Sequence, residues 1–170
     1  LSMPEVSQKY RKELVKIKKI LNAVGFFEKH NTDLTAWAIL ALQNEEPRET
    51  KAGFSSLFEG ASIRDILDFC RECGTRYAEN TRESLSKHSI KYLVEAGIVI
   101  RNHDDPGRPT NSAKTNYILN REFFGILQVS QKEREALIEQ WNTKQSNNIS
   151  KNNWRKDTSL SVSFAHHTFH

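Results

Sequence analysis

From Asn80 to Lys114 the chain carries Arg82, Lys87, Lys91, Arg101, Arg108 and Lys114, interspersed with Thr81, Ser84, Ser86, His88 and Asn111. Guanidinium and ammonium groups neutralise phosphate and can bond guanine, while hydroxyls and amides are adaptable donors and acceptors. The chemistry open to such a set is recognition of a polyanion rather than bond making. Other reactive groups are sparse. Cys70 and Cys73 form a Cys-x-x-Cys with no second pair, so four zinc ligands are lacking, and they read as structural or incidental thiols of an intracellular protein. His166, His167 and His170 close the chain; on a strand His166 and His170 share one face and His167 points away, which suits a frayed or strand-extending tail better than a metal site. Glu83 and Glu95 are explained by helix capping and surface solvation. With no Gly-rich phosphate loop, nucleophile elbow or HExxH, neither a catalytic residue nor a metal ligand is assigned within the chain.

Charge is distributed unevenly. The formal net charge is +4 over 170 residues, and the pI is about 9.1. Residues 1–79 carry twelve basic and twelve acidic side chains, residues 80–121 seven and four, and residues 122–170 six and five. The excess therefore sits in the stretch that holds the candidate contacts, a modest electrostatic footprint for nucleic acid. A hydrophobic content of 37% and a charged content of 27% fit a folded soluble domain. No apolar run is long enough to span a bilayer.

The elements that must position these residues follow from periodicity. Val6, Tyr10, Leu14, Ile17, Leu21 and Val24 recur at helical spacing up to Gly25. Lys9, Lys12, Lys16 and Lys19 line another face of that helix, either as a solvated face or as a phosphate-contacting stripe. "DLTAWAILAL" is apolar almost all round and predicts a buried helix. A long loop follows, with a short strand or turn. Ser62 and Asp65 then form a capping box ahead of Ile63, Ile66, Leu67 and Cys70, and Gly74 ends that helix. Asn80 is placed as the N-cap of the next helix, with Glu83 reaching back to its amide. Leu85, Tyr92, Leu93 and Ala96 form its inner face, Arg82, Ser86, Lys87 and Lys91 fall largely outside it, and Gly97 ends it. "IVIRN" and "TNYIL" predict two strands around a loop rich in Asp, Pro, Gly and Asn. Helix, turn, helix, hairpin is the order of a winged helix-turn-helix: a mainly α fold with a small β-hairpin wing and flanking helices. The last helix before the hairpin would enter the major groove, and the hairpin would reach the backbone or minor groove. Asn80, Thr81, Arg82, Ser84, Ser86, Lys87, His88 and Lys91 of the helix, with Arg101, Arg108, Asn111 and Lys114 of the hairpin, are the candidate DNA contacts.

Three motifs carry a resemblance. Tyr-Ala-x-Asn-Thr-Arg-Glu at Tyr77 to Glu83, Val-Glu-Ala-Gly-Ile-Val at Val94 to Val99, and Asp-Asp-Pro-x-Arg-Pro-x-Asn-Ser at Asp104 to Ser112 keep the order and spacing seen in one family. "AWAILALQNEEP" and "GASIRDILDFCRE" add to it. Over roughly Lys9 to Glu122 the chain resembles the N-terminal helix-turn-helix domain of the BsuBI/PstI type II restriction endonucleases. Ser86 departs from the pattern, which favours a second basic residue there, so a base or phosphate contact at that position is altered or absent. The resemblance implies a two-part enzyme: a DNA-gripping N-terminal domain, and a C-terminal nuclease domain of the PD-(D/E)XK type that cuts both strands with Mg²⁺. It implies a double-stranded DNA partner and the cytoplasm of a bacterium or archaeon, and leaves the oligomeric state open, a homodimer on a palindromic site being one arrangement that fits.

The domain organisation expected is a winged-helix domain over 3–128, a connecting helix over 129–142, a polar Asn/Ser/Lys linker over 143–158, and the start of a C-terminal nuclease domain over 159–170, opening on a strand through Leu160, Val162 and Phe164. Leu1 and Ser2, ahead of Met3, read as a cloning remnant. Two other functions fit the pattern: a stand-alone winged-helix regulator or reader of modified DNA, and a winged helix that binds protein.

Overall fold

The architecture is built around a helix with no solvent face. In the computed structural model, which describes residues 6–160 and side-chain surroundings through residue 148, α2 (Asp33–Leu42) is buried at every position from Thr35 to Leu42. It packs against α1 (Gln8–Ala23), α3 (Ile63–Glu72), the helix that spans 81–95, and the second strand of the wing. Each neighbour contributes one apolar face. From α1 come Leu14, Ile17, Ile20 and Leu21, and from α3 come Ile66, Leu67, Phe69 and Cys70. Burial of Cys70 pushes its thiol up to about 12, so it behaves as a small core hydrophobe.

The breaks between elements follow local chemistry. Gly25, Gly74 and Gly97 take left-handed φ of 79°, 104° and 76° just past their helices. Ser62 caps α3 as expected: its Oγ accepts from the Asp65 amide at 3.1 Å, and its own amide donates to the Asp65 carboxylate at 3.0 Å. The segment after α2 is more ordered than a loop. Strands β1 (Arg48–Thr50) and β2 (Gly53–Ser55) pair antiparallel, and a 3₁₀ turn at Leu57–Glu59 follows with its own capping box between Ser56 and Glu59.

The helix over 81–95 is continuous but not uniform: α4 (Thr81–Ser84) passes into a π-helical segment (Leu85–Ile90) and then into α5 (Lys91–Glu95). The wider π turn changes which residues share a face. Leu85, Ser89, Ile90 and Leu93 are buried, while Tyr92 and Ala96 are half-buried, so a uniform period overlooked Ser89 and Ile90. The buried polar group is satisfied. Thr35 donates its one hydroxyl proton to the His30 carbonyl at 2.6 Å and lies 2.8 Å from Ser89 Oγ, which donates to it in turn. His30, also buried, stacks on Tyr92 with ring centroids 3.6 Å apart.

One capping assignment is corrected. Asn80 has helical backbone angles (φ −69°, ψ −9°) and no side-chain capping bond. The first amides of the helix bond backbone carbonyls instead: Thr81 to Ala78, Arg82 to Glu79 and Glu83 to Asn80. A preceding turn already satisfies those donors, and that leaves Glu83 free to pair with Lys87 at 3.0 Å.

Strands β3 (Val99–Arg101) and β4 (Tyr117–Leu119) form the antiparallel wing, with Arg101 opposite Tyr117. Ala61 bridges the other edge of β4, giving and receiving a backbone bond with Tyr117. Together with α3 and the 81–95 helix this is a winged helix-turn-helix with flanking helices. Asn120 then starts α6 (Arg121–Gln128), its side-chain oxygen accepting from the amides of Glu122 and Phe123.

Residues 1–127 form one compact unit and residues 128–170 another. In the second, Ser130 and Glu133 cap α7 (Gln131–Leu160). The helix expected to end near 142 runs on through the expected polar linker. Its Asn and Ser residues are mediocre helix formers, but its Lys and Gln residues are good ones and no Pro or Gly interrupts it. Ser159 and Leu160 close α7 rather than open a strand. The remainder of that strand, with His166, His167 and His170, lies outside the described residues. No helix among the described residues is long and apolar enough to cross a membrane.

The Thr35–Ser89 contact sets an asymmetry in stability. Thr35→Val strands both the His30 carbonyl and the Ser89 hydroxyl, and is expected to cost about 1–3 kcal/mol. Ser89→Ala leaves the Thr35–His30 bond intact and is expected to cost less. Urea unfolding of the two variants checks the order; equal costs would mean that the hydroxyl pair is not what joins these helices.

Candidate nucleic-acid interface

The turn between α3 and the 81–95 helix is held by ions. Arg71 donates to the Tyr77 carbonyl at 3.0 Å and to carboxylate oxygens of Asp68 and Glu79 at 3.5 and 3.3 Å. Glu79 also lies 3.6 Å from Arg82, so one carboxylate joins the turn to the first exposed cation of the helix. One turn further, Lys87 pairs with Glu83 at 3.0 Å. Arg82 and Lys87 are about half and two-thirds exposed. Ion pairs this exposed are worth ~0–1 kcal/mol, so either cation can leave its carboxylate for another anion at small cost. Ser84, His88 and Lys91 are exposed on the same helix, and Thr81 and Ser86 are half-buried. Lys91 Nζ sits 5.5 Å from the Tyr92 ring centroid, a cation–π contact.

The wing is organised by residues that sequence reasoning passed over. Asn102, buried, takes a left-handed φ of 50°, a conformation Asn tolerates better than most residues. Its side-chain oxygen accepts from the Asn116 amide and from Arg108 Nη1, both at 3.0 Å. Arg108 also bonds Asp104 through both terminal nitrogens, at 3.0 and 2.8 Å, and Asn116 donates to the same carboxylate at 3.0 Å. The hydrogen bonds from Arg108 and Asn116 hold the Asp104 carboxyl well below the usual carboxylate range. Only 10% of the Arg108 side chain is exposed, and its guanidinium is spent on this clasp. Asn111 and Lys114 stay exposed, and Arg101 lies partly buried at the strand edge with Nη2 donating to the Thr110 carbonyl at 3.0 Å. The Asx-rich loop was a legible signal for a tight turn. That one Asn would gather both loop ends was not, because its partners lie six and fourteen residues away.

Of the lysines lining α1, Lys9, Lys12 and Lys19 are exposed and Lys16 lies 3.8 Å from Glu13. A sequence profile of the BsuBI/PstI restriction endonuclease HTH domain matches residues 11–156. This chain belongs to that family. Type II restriction enzyme BsuBI of Bacillus subtilis is 32% identical over 110 residues, which are 64% of this chain and 34% of the relative. Type II restriction enzyme AplI of Arthrospira platensis is 25% identical over 115 residues, 67% of this chain and 35% of the relative. The chain thus spans about a third of the length of these curated relatives. Among solved structures, the SdaI restriction endonuclease shares the fold with a TM-score of 0.64 at 21% identity, over 77% of this chain and 41% of that one.

A metal-dependent nuclease centre would need several carboxylates converging on an ion. Among the described residues of this family member, no group of three or more His, Cys, Asp or Glu side chains is arranged to hold one. Three acidic groups near the interface are committed to cations instead: Glu79 to Arg71 and Arg82, Glu83 to Lys87, Asp104 to Arg108.

The clasp gives the wing a pH signature. A carboxyl with a depressed folded-state value stabilises fully above its unfolded value of about 3.9, and the contribution is lost as pH falls through the folded value. Asp104→Asn is expected to lower the melting temperature at pH 7, with the gap to wild type closing as pH drops below about 4. Thermal melts across pH 2 to 7 check this. A gap that persists unchanged at the acid end would assign the effect to packing rather than charge.

Proposed function

We propose that this chain is the DNA-recognition module of a type II site-specific restriction endonuclease, with cleavage carried by a separate Mg²⁺-dependent nuclease domain. The observation that carries the proposal is the outward face of the 81–95 helix. Arg82, Ser86, Lys87 and Lys91 stand beside a stiffened wing, in a fold whose corresponding helix is built to enter the major groove. Family membership supports the enzyme class.

Roles divide along the helix. The N-terminal turns of a recognition helix reach base edges, so Asn80, Thr81, Arg82, Ser84, Ser86, Lys87 and His88 are the proposed base-reading set. Glu79 and Glu83 hold Arg82 and Lys87 in place until DNA replaces them. Arg101, Asn111 and Lys114 face the backbone or minor groove, and Arg108 keeps the wing in shape rather than gripping phosphate. Two copies on a palindromic site would match the symmetry of such a target.

Arg82→Ala and Lys87→Ala are each expected to weaken binding to the specific site by about 1–3 kcal/mol and to relax sequence choice. Arg108→Ala should lower the melting temperature, while the protein that stays folded binds normally. Mobility shifts on selected and scrambled duplexes, with circular dichroism melts of the same samples, test all three. Equal losses on selected and scrambled DNA for both helix variants would remove the base-reading role from this helix.

A further inference from the structure

We propose that the groove between the 81–95 helix and the wing is a seat for one backbone phosphate of duplex DNA, with Arg101 as its anchoring residue. This rests on DNA recognition by the chain as proposed above. The groove has a volume of about 390 Å³, and Ser86, Lys87, Lys91, Glu95, Arg101 and Tyr117 are among the residues lining it.

The cations of the interface are not equivalent. Arg82, Lys87 and Arg108 each have a carboxylate within 4.0 Å, whereas no such pair is formed by Lys91 or Arg101 among the described residues. Two positive charges without a carboxylate partner therefore line one groove, with Lys87 on its rim and Glu95 as the opposing charge.

Arg101 carries a second mark. Its Nη2 is anchored on the Thr110 carbonyl, yet its Nε–H is buried with no partner in the protein. Buried donors are nearly always satisfied, so the orphan Nε–H leaves the guanidinium short of one acceptor, which an anion in the groove would supply once the side chain turns toward it. Phosphate oxygens supply acceptors and charge together, and guanidinium recognises them with a planar fork. Tyr117, paired with Arg101 across the wing, is 7% exposed. Burial raises its phenol above the ordinary value and the Arg101 charge opposes the rise. The hydroxyl therefore stays protonated at neutral pH.

Position favours phosphate over a base edge. Beyond Ser86 and Lys87 at its rim, the groove is lined by Ile90, Lys91, Val94 and Glu95 from the C-terminal half of the helix and by Arg101 and Tyr117 from the wing, the parts of this architecture that face the backbone. The Asn102–Asp104–Arg108–Asn116 clasp holds the loop between the two strands, so the seat exists before DNA arrives.

The test is the salt dependence of binding to random-sequence duplex by wild type and four variants of the full chain, with a circular dichroism melt for each. Arg101→Gln is expected to reduce the slope of log K against log salt by about 0.9, the value for one phosphate contact. Lys91→Gln should lower it in the same direction, Arg101→Lys should largely retain it, and Glu95→Gln should tighten binding. A scan of single methylphosphonate substitutions should find a position whose neutralisation weakens wild type but not Arg101→Gln. If Arg101→Gln fails to fold, the exposed Lys91 and Glu95 variants and the methylphosphonate scan of wild type decide. Wild type that binds with a salt slope indifferent to all of these changes would overturn the seat alone. Wild type that binds no duplex at low salt would overturn DNA recognition, and the seat with it.

Discussion

A helix without a solvent face dictates the rest of this domain. Because α2 is apolar on every side, it must be wrapped, and the chain supplies amphipathic partners in sequence order: α1 before it, α3 and the 81–95 helix after it, and β4 last. Burial of its eight consecutive residues removes a large apolar area from water, the dominant favourable contribution to folding. The direction in which the 81–95 helix presents its exposed face is then a consequence of which face it gives to α2. The Thr35–Ser89 hydroxyl pair narrows that choice, since a rotation of the helix would take the buried Ser89 hydroxyl from its partner.

Electrostatics acts on a second level, after the core has placed the elements. The interface has more cations than anions, and three of them, Arg82, Lys87 and Arg108, are held by a carboxylate within one helical turn or one loop. Such exposed pairs add little stability. They limit the conformations of long side chains, so less rotamer freedom remains to be lost when a polyanion arrives. Arg108 differs because its partners form a closed set with Asn102, Asp104 and Asn116. It belongs to the architecture of the wing as much as α2 belongs to the core.

Much of the fold was legible because its signals are local. The α1 period, the all-apolar α2, the Ser62–Asp65 capping box, the three helix-ending glycines and the paired apolar runs of the wing each lie within a few residues of one another. Family membership was legible for a similar reason: its motifs are contiguous, from Tyr77 to Glu83, Val94 to Val99 and Asp104 to Ser112. The failures share a cause as well. Asn80 has the side chain of a cap, but the turn before it had already satisfied the helix amides. Residues 143–158 have the composition of a linker, yet nothing in them breaks a helix that is already nucleated.

What the sequence by itself determined is the kind of molecule: helices and a hairpin, an excess of positive charge over residues 80–121, and a set of side chains suited to phosphate and base edges. What only the tertiary structure decided is how those side chains are used. The π turn set the faces of the 81–95 helix through packing on α2. Asn102 drew Arg108 into the wing, while Arg101 stayed without a carboxylate partner beside an open groove. Residue type fixes what a group can bond, but its partners come from distant parts of the chain, and long-range contacts leave no periodic trace in a sequence.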